Sequence, residues 1–355
     1  MAKEFFRILA PFTRIADIKL LKESGADELY CGYITKELAK KWPAAFCILN
    51  RRGEAQSFED YSTFQRAVEL AHNLTLPVYV TINGLYTPEQ YPLLLKLTEK
   101  IERLQGVNGI IVADLGFLLT LKKNGFNKEI HISVGGTCFN SNTADFFSSL
   151  GADRMILERQ LASHEIEDIF KEMKTPIGIE VFIMAEGCGG FIDGYCTFFH
   201  CVEKNIKARI RKGDSVYPAS YSDQDYKGCQ FYFANKLAHG DFRIFDAKTC
   251  KEKEIRLKFQ RKKYNLFGCR ICDLYDLRKY PLKSLKVIGR GKYPVYTARL
   301  VKVVAQALSW LTSDTISRND YQQKCKKLFS ATLLGERKCT KFDCYFSSHW
   351  LKNDM

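Results

Sequence analysis

The sequence has no long apolar run and no recognisable secretory leader. Its first seven residues include Lys3, Glu4 and Arg7, and its apolar stretches are short and strand-like. Thirteen cysteines would otherwise suggest an oxidised, secreted protein. We therefore expect a reduced, cytoplasmic protein without a transmembrane segment, in which the cysteines bind metal or pack as small hydrophobic side chains.

Several catalytic signatures are also missing. The sequence contains no H-E-x-x-H motif and no nucleotide P-loop, and no Ser-His-Asp arrangement can be named. These absences count against the common hydrolases and against kinases.

The chain carries an excess of positive charge. Lysine and arginine number 54 against 40 acidic residues, which gives a formal net charge of +14. Such a balance favours anionic partners: nucleic acid, phosphorylated metabolites or an acidic membrane surface. Much of the excess lies in three stretches, Lys204–Arg211, Lys248–Lys263 and Arg278–Lys292. A solvated basic face is the alternative explanation.

Short apolar runs alternate with amphipathic stretches along most of the chain. The runs predict eight strands: Phe6–Ala10, Glu28–Gly32, Val78–Asn83, Gly109–Ala113, Ile130–Val134, Arg154–Glu158, Gly178–Ile183 and Ser284–Ile288. The helices predicted between and after them are Ile15–Ser24, Phe58–Asn73, Pro88–Leu104, Leu115–Lys123, Asn142–Leu150, Ala162–Met173 and Tyr293–Leu311. Gly-Ala-Asp steps at 25–27 and 151–153 lead from helix into strand.

This alternation predicts an α/β fold, a (β/α)8 TIM-like barrel, with an open doubly wound sheet as the alternative. We expect residues 1–183 and 284–313 to form the barrel. Residues 184–283 would form a large cysteine-rich insertion between strands seven and eight, and residues 314–355 a tail that packs on the barrel.

Candidate functional residues follow the predicted strands, because barrel enzymes place their chemistry at the carboxyl ends of the strands. As acid or base we expect Asp114, Glu158 and Glu186. Substrate contacts are expected from Asn83, Asn140 and Arg159, although Glu158 and Arg159 could equally form an internal ion pair. An anion would be held by Arg51, Arg52 and Arg290, which follow the second and eighth strands.

The insertion is the richest source of metal ligands. It contains a C-x-x-C pair, Cys269 and Cys272, and a Gly-rich turn flanked by Cys188 and Cys196. We expect a 4Fe-4S cluster held by Cys188 and Cys196 with two or three of Cys229, Cys269 and Cys272. A zinc site and a site without metal are the alternatives. Cys339 and Cys344 could complete the cluster if the tail folds back over the barrel mouth, whereas Cys201 has no assigned role.

Seven segments, taken in order, resemble the collagenase-like peptidase family U32. They are 8–11 (ILAP), 25–32 (GADELYCG), 80–83 (VTIN), 111–116 (IVADLG), 157–162 (LERQLA), 180–182 (EVF) and 285–290 (LKVIGR). The resemblance runs from about residue 6 to residue 305. That family includes oxygen-independent hydroxylases of ubiquinone biosynthesis and of tRNA and ribosomal RNA, built on a barrel-like domain, and several hold a 4Fe-4S cluster on four cysteines.

The resemblance implies specific residues and also shows departures. The family's early ligand pair falls on Cys188 and Cys196, and some relatives draw a ligand from the loop that here contains Cys47. The spacing from Cys196 to Cys229 is longer than in the family, the C-x-x-C is not a general family feature, and Val-Ile replaces the usual Ile-Glu at 287–288.

The implied function is iron-sulfur-dependent, oxygen-independent hydroxylation of an RNA base or an aromatic small molecule. A peptidase, and a non-catalytic iron-sulfur or zinc-binding subunit that works with a partner, are the alternatives.

Overall fold

The computed structural model describes residues 6–41, 57–159, 161–184, 242–245, 252–255, 268–290, 293–312 and 315–335, together with Cys339 and Cys344. Its strands are β1 Arg7–Pro11, β2 Glu28–Gly32, β3 Val78–Ile82, β4 Val107–Val112, β5 Glu129–Ile132, β6 Arg154–Ile156, β7 Gly178–Met184, β8 Phe242–Phe245, β9 Glu252–Ile255 and β10 Leu282–Val287. Its helices are α1 Ile15–Glu23, α2 Lys36–Lys41, α3 Tyr61–Asn73, α4 Tyr91–Glu102, α5 Leu115–Lys123, α6 Ser141–Ser149, α7 Ser163–Glu172, α8 Leu274–Leu277, α9 Pro294–Ser309 and α10 Arg318–Leu333.

Eight parallel strands close into a barrel in the order β1-β10-β7-β6-β5-β4-β3-β2, so the predicted fold class is confirmed. Strands β2 and β3 are buried at all five positions, as expected where a parallel sheet is covered by helices on one face and fills the barrel on the other. β8 and β9 form a separate antiparallel pair within the long connection between β7 and β10. No helix in the described segments is long and apolar enough to cross a membrane.

The repeated Gly-Ala-Asp step joins helix to strand by the same contacts at two places. Gly25 and Gly151 adopt φ values of +100° and +86° after α1 and α6. In each step the aspartate carboxylate then accepts a hydrogen bond from the preceding strand: Asp27 from Ile8 N (2.9 Å) and Asp153 from Ile130 N (2.8 Å). The glycine turns the chain, and the aspartate fixes where the next strand begins.

The structure adds helices that the sequence analysis did not predict, of which α10 matters most. α10 begins at the N-cap Ser317, whose hydroxyl accepts a hydrogen bond from Asp320 N. It buries Tyr321, Cys325 and Phe329, which are spaced four residues apart and so share one face. That face packs on α9 and on the 3-10 turn Ile271–Asp273, which lies beside the end of β7.

We predict that Gly25→Ala lowers stability far more than Gly125→Ala. Both glycines have positive φ, so an L side chain costs about 1–2 kcal/mol at either position. A Cβ at Gly25 would lie 2.8 Å from Ala305 Cβ on α9, whereas a Cβ at Gly125 meets nothing within 4 Å. The clash should add about 1–3 kcal/mol. Urea unfolding of the two variants provides the measurement, and equal midpoints would contradict the close contact between α1 and α9.

Candidate active site and thiol cluster

A charged layer crosses the barrel interior. The guanidinium of Arg154 donates to both carboxylate oxygens of Glu28 at 2.8 and 3.1 Å, to Glu180 at 3.1 Å and to the Tyr79 hydroxyl at 3.3 Å. Lys286 Nζ donates to the other oxygen of Glu180 at 2.8 Å. All five side chains are buried. Two buried carboxylates therefore face two buried cations, and the half-exposed Arg7 of β1 also reaches Glu28 at 3.3 Å. The contacts connect β1, β2, β3, β6, β7 and β10 across the barrel.

The neighbours keep these buried groups in defined protonation states. Burial alone would raise the pKa of Glu180, but Lys286 and Arg154 outweigh it and the pKa is lowered. Burial lowers the pKa of His131, whose Nε2 lies 2.8 Å from a Glu129 oxygen. We expect an ionised Glu180 and a neutral His131 at physiological pH.

A second interior layer is apolar and aromatic. Leu9, Tyr30, Tyr79, Ile111, Val134, Ile156 and Phe182 form a cluster separate from the outer core. Cations lie over all three of its rings: Lys286 Nζ is 4.3 Å from the Tyr30 ring centre, the Arg159 guanidinium is 4.9 Å from that of Phe182, and the Arg154 guanidinium is 5.0 Å from that of Tyr79. The barrel is thus filled by side chains and is not an open pore.

Polar side chains collect at the carboxyl ends of the strands. Asn83 is buried after β3, and its amide donates to the Ser133 hydroxyl at 3.1 Å. Arg290, after β10, is also buried and donates to the Thr81 hydroxyl at 2.6 Å. We refer to this end of the barrel as the mouth.

Glu158 and Arg159 follow β6 at the mouth, and both are buried. The backbone N–H of Glu158 donates to Cys138 O at 3.3 Å. The mouth therefore contains four of the predicted site residues: Asn83, Glu158, Arg159 and Arg290.

Two other predicted site residues serve as helix caps. The Asp114 carboxylate accepts from Phe117 N at 2.6 Å, from Tyr86 N at 2.9 Å and from the Tyr91 hydroxyl at 3.0 Å, and it caps α5. Asn140 caps α6 by accepting from Thr143 N at 2.9 Å. Residues that follow strands in a barrel also precede helices, so the position that favours a catalytic residue favours an N-cap equally.

The C-x-x-C pair lies at the mouth, against the end of β7. Cys269 forms a β-bridge with Met184, the last residue of β7, and Arg270 N donates to Ile183 O at 2.9 Å. The buried guanidinium of Arg270 donates to the carbonyl groups of Arg159 and Leu161 in the loop after β6. The backbone of the pair is therefore fixed to two neighbouring strand ends.

Three further cysteines meet this pair. Cys344 forms a second β-bridge with Cys269, and this bridge is parallel. The Cys325 thiol on α10 is in hydrogen-bonding contact with Cys272 and lies 3.9 Å from Ile271 O. Cys339 is close enough to Cys269 to influence its pKa. We refer to Cys269, Cys272, Cys325, Cys339 and Cys344 as the thiol cluster. The tail cysteines thus fold back to the mouth.

Without a bound metal the inner members of the thiol cluster are protonated. Burial raises the pKa of Cys269, and hydrogen bonding to Cys325 together with burial raises that of Cys272. Within the described segments, no three cysteine, histidine or acidic side chains surround a common point as a metal ion requires. The donor chemistry fits a thiolate-bound metal, but binding would need the thiols to turn toward one another.

Several predicted site residues lie outside the described residues. They are Arg51, Arg52, Glu186, Cys188, Cys196 and Cys229, together with Cys47 and Cys201.

Comparison with known proteins gives matches over most of the chain. The sequence model of peptidase family U32 matches residues 13–337. tRNA hydroxylation protein P of Helicobacter pylori is 24% identical over 321 residues, which cover 90% of this chain and 68% of the relative. tRNA hydroxylation protein P1 of Bacillus subtilis is 28% identical over 311 residues, which cover 86% of this chain and 64% of the relative. The alignment with the solved structure of the U32 peptidase Mk0906 covers 63% of this chain and 85% of the Mk0906 chain, with 14% sequence identity and a TM-score of 0.42.

We predict that Arg154→Met destabilises the protein by about 3–5 kcal/mol, because buried Glu28 would keep only the half-exposed Arg7, and buried Glu180 only Lys286, as a cationic partner. Arg318→Met is the matched control. Arg318 also pairs with a carboxylate, Asp276, at 2.6 Å, but at the surface, where loss of the pair should cost about 0–1 kcal/mol. Urea unfolding compares the two variants, and equal losses would show that the interior layer does not stabilise the barrel.

Proposed function

This chain belongs to peptidase family U32, and on that basis we propose that it hydroxylates a base in tRNA. The relatives that match most of the chain are named tRNA hydroxylation proteins. The structural observation that supports the proposal is the arrangement of the mouth, where buried polar side chains and a cysteine pair lie at the same ends of the barrel strands. Reactive groups of barrel enzymes occupy this end.

The mouth offers the contacts that a nucleobase needs. A base is a flat ring with hydrogen-bond donors and acceptors on its edge, and proteins that act on one base read that edge with polar side chains. We assign edge recognition to Asn83, whose amide can both donate and accept, and to Arg159. Glu158, buried beside Arg159, is the candidate acid or base. Glu186, from the sequence alone, is a further candidate.

Hydroxylation sets a chemical requirement. Replacing a C–H bond of the base by a C–OH bond removes two electrons from the base, so the reaction needs an oxygen source and a two-electron acceptor, which a single oxygen-donating co-substrate could combine. An anionic group, either a phosphate of the tRNA or a small anionic co-substrate, would suit the arginines that follow the second and eighth strands, Arg51, Arg52 and Arg290. Of these, Arg290 lies at the mouth against Tyr30.

We propose a 4Fe-4S cluster as the cofactor, with zinc as the alternative. The candidate ligands are Cys188, Cys196, Cys229, Cys269 and Cys272, of which Cys269 and Cys272 are placed at the mouth. Such a cluster supplies electron transfer when bound. The protein's own part is to fix the C-x-x-C backbone on β7 and on the loop after β6, so that a cofactor held by this pair would be placed at the mouth.

A peptidase is the alternative that the family name suggests. The three histidines in the described segments do not support it: His131 is bound to Glu129 inside the barrel, and His72 and His164 are exposed on outer helices. None of them lies at the strand ends, where a nucleophile would need a base. A non-catalytic metal-binding subunit is the other alternative.

We predict that expression of this protein in a bacterial strain that lacks its own tRNA hydroxylation proteins produces a tRNA nucleoside heavier by one oxygen atom. Mass spectrometry of digested tRNA provides the measurement. Cys272→Ser should abolish the product because it removes a candidate ligand, whereas Cys138→Ser, a buried thiol outside the thiol cluster, should retain it. Unmodified tRNA from cells that contain folded, metal-loaded wild-type protein would refute the proposed function.

We further predict that Arg51→Ala weakens tRNA binding and makes it less dependent on salt. If Arg51 contacts a phosphate, its loss should reduce the slope of log affinity against log salt by about 1. Arg66→Ala on α3 is the matched control, since Arg66 is exposed on an outer helix. Titrations at several salt concentrations, with a melting curve for each variant, provide the test. A slope equal to that of the Arg66 variant would remove Arg51 from the tRNA site.

A further inference from the structure

The thiol cluster is assembled from two parts of the chain that are distant in sequence. Cys269 and Cys272 precede β10, whereas Cys325 lies on α10 and Cys339 and Cys344 follow it. Five of the seven cysteines in the described segments belong to this cluster, and only Cys31 and Cys138 lie elsewhere. Cysteine used as a small hydrophobic residue has no reason to concentrate in this way.

The backbone contacts bring the two parts together independently of any ligand. Cys269 is bridged to Met184 on one side and to Cys344 on the other. The Tyr321 hydroxyl on α10 donates to Ile271 O, inside the C-x-x-C pair, at 3.0 Å. Cys339 N donates to the Ser330 hydroxyl at 3.1 Å, which ties the tail to α10. Cys344 therefore pairs directly with the cysteine pair, Cys339 is bound to α10, and α10 contacts the turn inside the pair.

The spacing of these cysteines is typical of metal ligands. One C-x-x-C and one C-x4-C, Cys339 to Cys344, are each held close to the same turn, and Cys325 lies between them in sequence. Lys338 precedes the tail pair and Lys341 lies between its two cysteines, and their charge would help to offset that of bound thiolates. Four thiolates are the usual donor set for structural zinc and for a 4Fe-4S cluster.

We infer that the C-terminal segment supplies two thiolate ligands, drawn from Cys325, Cys339 and Cys344, to a metal centre whose other two ligands are Cys269 and Cys272. This inference deepens the proposed cofactor site and rests on the proposed function only for the identity of the metal. It differs from the ligand set implied by the family, because it does not need Cys188 or Cys196. Binding the metal would turn the thiols toward one point, with metal–sulfur distances of about 2.3 Å.

The first test measures metal in the full-length protein, purified without oxygen. Iron, zinc and acid-labile sulfide per chain are determined for wild type and for Cys325→Ser, Cys339→Ser and Cys344→Ser, with Cys138→Ser as the control. We expect at least two of the three tail variants to lose more than half of the metal while the control keeps it. If fewer than two lose it, the inference is overturned. Wild-type protein that holds no metal, even after addition of ferrous iron with sulfide or of zinc chloride, also overturns it.

A second measurement avoids the risk that a buried serine at position 325 unfolds the protein. Cys339 and Cys344 are partly exposed, so iodoacetamide should reach them in metal-free wild-type protein. We expect at least one of these two to be protected before metal removal and labelled after it, as read by mass spectrometry of peptides. Equal labelling of both in the two states would contradict ligation by the tail.

These outcomes are separate from those of the proposed function. Iron with sulfide supports the cofactor proposed above, whereas zinc identifies the centre as structural; either result, with loss in the tail variants, upholds the ligand assignment. Failure of tRNA hydroxylation in protein that carries metal on these cysteines would refute the proposed function alone.

Discussion

The charged layer inside the barrel fixes the strands that lead to the mouth. Arg154 is completely enclosed and reaches Glu28 on one side and Glu180 on the other. The orientation of its planar guanidinium is tightly restricted, because two of its hydrogen bonds run in parallel to the two oxygens of one carboxylate, Glu28. A shift of one residue in β6 would point Arg154 out of the barrel, leaving Glu28 with only the half-exposed Arg7 and Glu180 with only Lys286 as a cationic partner. The layer therefore favours a single register for these strands.

The apolar layer connects the charged layer to the mouth by supporting the side chains there. Tyr30 lies between the two polar regions: its hydroxyl donates to Val287 O at 3.1 Å, and Lys286 and Arg290 lie over its ring. Phe182 supports Arg159 in the same way. Arginine side chains are long and flexible, and without such supports they would sample many rotamers. The aromatic rings give the cations at the mouth defined positions.

Much of the barrel could be predicted from the sequence, because each strand is a short apolar run and most helices have a clear amphipathic pattern. Helix α10 was missed since its sequence is rich in polar and charged residues, yet Tyr321, Cys325 and Phe329 recur at every fourth position and would have revealed it. Asp114 and Asn140 follow strands, where barrel enzymes place catalytic residues, but the same positions cap helices. The C-x-x-C pair was visible in the sequence. The contact of this pair with Cys325 and Cys344 depends on tertiary packing between segments more than fifty residues apart, and no local sequence pattern encodes such packing.

The cysteine pair at the mouth is held from three directions. β7 pairs with Cys269, the carbonyl groups after β6 accept hydrogen bonds from Arg270, and α10 contacts Ile271. A ligand-binding loop that is already fixed loses little conformational freedom when it binds, so more of the binding free energy remains as affinity. Only the thiol side chains need to reorient. Outside the barrel, this loop is contacted by α10 and by Cys344 of the tail. The same C-terminal segment contains the remaining thiols. Docking of this segment would therefore order the site and supply its donors in a single step.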